Sequence, residues 1–248
     1  MFSVCFFTIF IKGHIMLNLN VIETITNETI DNETMEIKFS QTTKMPWISW
    51  DTPAWECITG SKLAKLENTV CSGCYANKGR YTFGGVKNAN TNRFEQLKQM
   101  DKWKLAFIEA LQAKYKSLRD KSKAYFRWHT SGDIQSLDHL KAIVEIANAL
   151  PLIKFWLPTK EIGIVSAYTK FNEFPDNLCV RISMFKIDQI PSYSLGLPTS
   201  TVITDKGKND DMQHHLNLCH ASEEIDGKCG TCRKCWDKNT SNVAYKFH

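Results

Sequence analysis

No apolar run in the sequence is long enough to cross a bilayer, no segment repeats, and no dense basic stripe runs along it. The first absence excludes a membrane-spanning helix, the second a solenoid, and the third the plainest kind of nucleic-acid binder. The apolar opening at 1–11 has no basic region ahead of it and is soon interrupted by Lys12 and His14. It fits a start codon placed upstream of Met16 or Met35 better than a signal peptide. Residues 18–36 lack any helical or strand period, and 1–43 is expected to be a variable leader that contains Cys5.

The rest has the composition of a globular protein, with 43% hydrophobic and 23% charged residues. A chain of 248 residues buries a core without disulfide staples, so its nine cysteines call for another explanation. The net charge of +5 leaves a polyanionic partner open. We expect a cytoplasmic protein with no membrane association.

From Lys44 the pattern predicts strands at 45–50, 124–129, 152–157, 178–184 and 201–204. Helices are expected within 91–118, with Asp101 able to cap the second of them, from Ser136 to Pro151, and over 164–171. This alternation implies right-handed crossovers and an α/β fold, a partial (β/α) barrel of mostly parallel strands over 44–210. A C-terminal cysteine-rich metal-binding segment, 211–248, is expected to pack on it. The carboxyl ends of the strands would then gather 57–75, 129–133 and Thr159-Lys160 on one rim.

Seven cysteines fall into two groups. Cys71-Ser72-Gly73-Cys74 is a C-x-x-C turn with thirteen residues separating Cys57 from its first thiol, and three thiolates leave one ligand position open. Cys219 and Cys229-Gly230-Thr231-Cys232-Arg233-Lys234-Cys235 supply four, and four close a site. Such sets suit zinc or an iron–sulfur cluster. Ordinary free cysteines, or a redox dithiol at Cys71 and Cys74, are the competing readings. Cys179 lies in an apolar strand pattern and reads as a small buried hydrophobe. His214 and His215, just before Cys219, are weaker ligand candidates.

Lys44-Met45-Pro46, Gly60-Ser61-Lys62-Leu63-Ala64, Cys71 to Ala76, Lys78 to Tyr81, His129-Thr130-Ser131-Gly132-Asp133 and Cys229 to Trp236 together resemble the phage gene product 88 family, from about Lys44 to His248. That family implies no activity. The three-cysteine loop more distantly resembles radical S-adenosylmethionine enzymes. There three cysteines hold a [4Fe-4S] cluster whose open iron takes the methionyl amine and carboxylate of S-adenosylmethionine. The resemblance implies that Tyr75 accompanies the last cysteine and that Ser131, Gly132 and Asp133 form the turn supporting the amine. It also implies a second cluster on the C-terminal four cysteines, an electron donor as partner, and a radical reaction on an unknown substrate. The departure is the first gap, since the usual loop is C-x3-C-x2-C.

Asp133 and His129 bracket a strand-to-loop turn suited to a general acid or base. Arg127, alternating with His129, and Lys160, ending the next strand, are candidate anion clamps, although a buried ion pair suits Arg127 equally. Lys78, Arg80, Lys87 and Arg93, interleaved with Tyr81 and Phe83, suit a nucleic-acid or nucleotide partner; solvated surface charge gives the same run. The alternative to an enzyme is therefore a non-catalytic zinc-binding phage protein that grips nucleic acid.

Overall fold

One sheet carries the fold, and its strands lie side by side in chain order: β1 (Ser40–Gln41), β2 (Ile48–Trp50), β3 (Tyr125–Trp128), β4 (Lys154–Thr159), β5 (Leu178–Ile187), β6 (Thr199–Ile203) and β7 (Asn242–Lys246). The computed structural model describes residues 34–204, 217–222 and 227–247. β1 pairs antiparallel with β2, and every later pairing is parallel. Because the order never reverses, the sheet lacks the switch point of a doubly wound fold. Among the described residues the helices are α1 (Ile58–Leu63), α2 (Gly84–Gln96), α3 (Met100–Ser117), α4 (Leu137–Ala149) and α5 (Ile162–Thr169).

Alternate residues of each strand face opposite ways, and both faces of the sheet are buried, by different means. Phe126 and Trp128 of β3, Phe155 and Leu157 of β4, and Leu178 to Met184 at every second position of β5 form the main core with Trp103, Phe107 and Leu111 of α3 and the apolar stripe of α4. Rings dominate this core, with Phe107 stacked on Trp128 at 4.8 Å and Trp50 set 5.2 Å from Trp103. Each such pair adds about 0.5–1.5 kcal/mol beyond its area. On the other face Tyr125 and Trp156 pack with Val243, Tyr245, Cys219, Cys235 and Trp236. The C-terminal cysteine segment thus covers the face that the helices leave open.

α4 starts as its sequence predicts, with the Ser136 hydroxyl accepting from the His139 N–H at 3.0 Å. Asp101 does not cap α3. The helix begins one residue before it, and the Asp101 carboxylate sits in the first turn beside the positive helix end. α2 buries Asn90 and Arg93 in place of an apolar stripe. Arg93 is held by the Lys38 carbonyl, Asn90 and the Asp51 carboxylate.

The first strand and the half-buried Met35, Ile37 and Phe39, which pack on the main core, all lie inside the segment read as leader. The four-cysteine segment contributes β7, a strand in its own right. No described helix is long and apolar enough to cross a membrane.

Candidate functional site

The carboxyl ends of β3, β4 and β5 carry the cysteine loop, which is tied down at each of them. At β3, the Tyr75 hydroxyl donates to the Thr130 carbonyl at 2.5 Å. At β4, the Glu161 carboxylate accepts from the Thr59 N–H at 2.8 Å and the Thr59 hydroxyl at 2.7 Å, anchoring the start of α1. At β5, the Val70 N–H reaches the Phe185 carbonyl at 2.9 Å and Thr69 bridges Lys186. The rim expected from strand and helix order is therefore formed, with 57–75, 129–133 and Thr159-Lys160 brought together.

Within that loop Cys57 sits between a short helical turn and α1, while Cys74 closes its turn by donating its N–H to the Cys71 carbonyl at 3.2 Å. Gly60 keeps the space between the thiols open. A Cβ there would lie 2.9 Å from Cys57 Cβ, 3.6 Å from Cys57 Sγ and 3.7 Å from Cys71 Sγ. Burial pushes the Cys57 thiol well up, and the neighbouring Asp133 carboxylate, Cys74 and Cys71 push the same way. Burial raises Cys71 as well, while the Lys160 ammonium draws it down. Among the described residues no three cysteine, histidine or carboxylate groups already stand at the spacing of one bound ion. A four-iron cluster seats each thiolate on a separate iron, so its sulfurs stand wider than those around a single ion.

Asp133 supports this rim from below. Its carboxylate accepts from the Ile134 N–H at 2.8 Å, the Thr159 hydroxyl at 2.6 Å and the Lys160 N–H at 2.8 Å. Burial nevertheless raises it to about 6 against those hydrogen bonds. Gly132 is obligatory: its φ is +78°, and a Cβ would collide with Thr52 Oγ1 and lie 2.6 Å from the Thr52 carbonyl oxygen. The Ser131 hydroxyl donates to that same carbonyl at 2.8 Å and accepts from Asn90 at 3.3 Å. Asp51 fastens the turn from β2, accepting from the Thr130 N–H at 2.6 Å and from the Thr130 hydroxyl.

The C-terminal thiols lie on the face opposite the helices. The Cys232 N–H donates to the Cys229 carbonyl at 2.9 Å, the Cys219 N–H to the Ala244 carbonyl at 2.8 Å, and Cys235 Sγ lies 3.1 Å from the Tyr245 hydroxyl. Trp236 locks the segment onto β3 by donating its indole N–H to the Phe126 carbonyl at 2.7 Å. Burial raises Cys219, Cys229 and Cys235, the last to about 12, and the Arg127 guanidinium pulls each of them down. Arg181, fully buried, donates to the carbonyls of Thr199, Thr240, Lys234 and Asp237, and it too faces Cys235. Arg127, half-buried, lies over Trp156 at 4.4 Å and donates only weakly, to Met45 Sδ and the His129 carbonyl. Among the described residues neither arginine has a carboxylate within ion-pair distance. Arg127 beside Cys219, Cys229 and Cys235, and Arg181 beside Cys235, therefore favour the thiolate forms there.

Both cysteine groups and the rim turn fall inside one family match, to gene product 88, over residues 26–238. The chain belongs to the gene product 88 family. The match begins earlier than Lys44 and ends at Lys238, short of His248. No curated protein and no solved structure matches the chain.

In this gene product 88 chain the expected residues separate into two environments. Cys57, Cys71, Cys74, Tyr75, Ser131, Gly132, Asp133 and Lys160 share the rim, while Arg127 turns to the C-terminal thiols. His129 joins neither. Its backbone has φ +52°, which ends the alternation with Arg127 and turns the ring into the core beside Trp50, Trp128 and His139. Both ring nitrogens are buried without a partner, and burial holds the ring neutral, at about 3. Arg93 leaves the basic run, being buried against Asp51. His214 and His215 lie outside the described residues. Cys179 is buried in β5, where its sulfur accepts from Arg181 at 3.8 Å. No sequence motif marks Glu161, Asp51 or Arg181, and Gly60 enters only as part of the Gly60 to Ala64 motif. Arg181 carried a usable signal, a lone charge inside the apolar run of β5.

Proposed function

We propose that this is an iron–sulfur protein resembling radical S-adenosylmethionine enzymes, with a [4Fe-4S] cluster on Cys57, Cys71 and Cys74 and a second, closed site on Cys219, Cys229, Cys232 and Cys235. The observation that carries the reading is the placement of three thiols of one loop over the carboxyl ends of sequentially wound parallel strands, with Gly60 leaving room beside Cys57 and Cys71. Sequential parallel winding is the topology that curls into a partial (β/α) barrel. When bound, the cluster would supply the electron for reductive cleavage of S-adenosylmethionine, which the protein orients and shields.

This chain's own residues have defined work. Glu161 and Tyr75 hold the loop against the rim, and the backbone of Ser131-Gly132-Asp133 borders the open ligand position. Lys160 favours ionised Cys71. Arg127 and Arg181 balance the thiolate charge of the second site, which zinc or a cluster would satisfy equally. None of the cysteines of the described segments is joined in a disulfide, as a reducing cytoplasm would keep them.

Anaerobic reconstitution followed by a cofactor-cleavage assay tests the reading. Wild-type protein should cleave S-adenosylmethionine under reductant, and Cys74→Ala should abolish cleavage while keeping the C-terminal metal. Zinc at both sites with no cleavage would favour the second reading, a non-catalytic metal protein that binds nucleic acid. The exposed basic and aromatic loop after Cys74 is the observation that keeps this reading in play.

A further inference from the structure

Between Glu67 and Glu95 the sequence contains no acidic residue, and this stretch leads straight from the C-x-x-C turn into α2. Lys78, Arg80 and Lys87 within it are exposed, and among the described residues none has an ion-pair or hydrogen-bond partner for its side chain. Two rings stand out among them, Tyr75 at 58% exposure and Phe83 at 63%. Tyr75 packs 5.7 Å from Tyr81, whose hydroxyl reaches Thr130, so the platform is fixed to the rim. The first turn of α2 has no acidic residue and adds the same sign of charge.

We propose that this loop is a docking surface for single-stranded nucleic acid, with Lys78, Arg80 and Lys87 on the phosphates and Phe83 and Tyr75 stacking bases. Unpaired cations on a surface recruit polyanions in general; exposed ring faces select one whose own flat faces are free. A duplex hides those faces, and an acidic peptide or an anionic bilayer has none. Because Tyr75 adjoins Cys74, a base stacked there lies at the mouth of the cysteine loop. The surface stands by itself, but its role as the seat of the substrate rests on the function proposed above.

The test uses full-length, anaerobically purified chain and a fluorescent single strand of about 12 nucleotides. Anisotropy should report binding at low salt that weakens with a slope of log affinity against log salt near about −2, the value for three phosphate contacts. The Lys78→Gln, Arg80→Gln, Lys87→Gln triple variant should abolish that slope, and Phe83→Ala should weaken binding roughly tenfold. Both should keep wild-type metal content, since none of these side chains supports the fold. Equal affinity for the duplex, undiminished binding by the triple variant, or capture by phosphatidylserine vesicles that the oligonucleotide does not relieve would each overturn the proposal. Failure to bind with metal fully loaded refutes the surface and leaves the cysteine reading intact. Binding by a chain that takes up no iron does the opposite.

Discussion

Three groups are held away from their usual protonation, and their signs oppose. Burial pushes His129 to about 3 and His139 well below its ordinary value. The folded chain therefore refuses protons that the unfolded chain takes up below about pH 6.5. Stability from these neutral rings is present above that pH and is lost as pH falls towards 3. Asp133, raised to about 6 by burial, contributes stability below about pH 4 that is lost as pH rises through 6. Between pH 6 and 4 the carboxylate opposes the two histidines and offsets only part of their effect, so stability falls as pH falls. Urea unfolding at pH 7, 6 and 5 should show this fall, and His139→Phe should flatten it while lowering stability throughout by stranding the Gln135 N–H. A wild-type stability indifferent to pH would contradict the buried neutral pair. Glycine at 132 gives a second residue-scale test. Gly132→Ala should cost more than about 3 kcal/mol in thermal unfolding, while Gly79→Ala, also at positive φ but in open space, should cost about 1.

Among the elements, α1 depends on one carboxylate. Replacing Glu161 with Ala removes both bonds to Thr59, which should cost about 2–3 kcal/mol and reduce the iron retained on the three-cysteine loop without changing the metal of the C-terminal group. Iron per chain, measured beside the unfolding curve, separates that outcome from general unfolding. Strands β3 to β6 were legible because apolar runs bounded by turn residues and spaced by helices have few other readings. β7 was not: Asn242 to Lys246 follows a cysteine loop, is short and mixed, and becomes a strand through its pairing with β6. The first half of α2 hid for a different reason: 84–90 offers no apolar period to read, and the helix is held by the buried Arg93 to Asp51 network. The cysteine grouping could be read from spacing, whereas Glu161 and Asp51 act through tertiary contacts across long separations and have no local signature.

At the scale of the whole molecule, helices bury one face of the sheet and the C-terminal cysteine segment buries the other, so the proposed C-terminal metal would be coupled to global stability. Chelation should lower the midpoint of thermal unfolding, and Arg127→Gln should weaken metal retention by the C-terminal group while leaving the iron of the first loop unchanged, as elemental analysis can show. Equal metal retention by Arg127→Gln would remove the charge-balance argument. The central claim is that the three thiols of the rim hold a cluster. Iron, sulfide and zinc should be quantified in anaerobically purified wild type and in the Cys57→Ala, Cys71→Ala, Cys74→Ala variant. The account predicts that about four iron and four sulfide per chain disappear in the variant while the C-terminal metal stays. Zinc alone in the wild type, or iron that survives loss of those three cysteines, would contradict it.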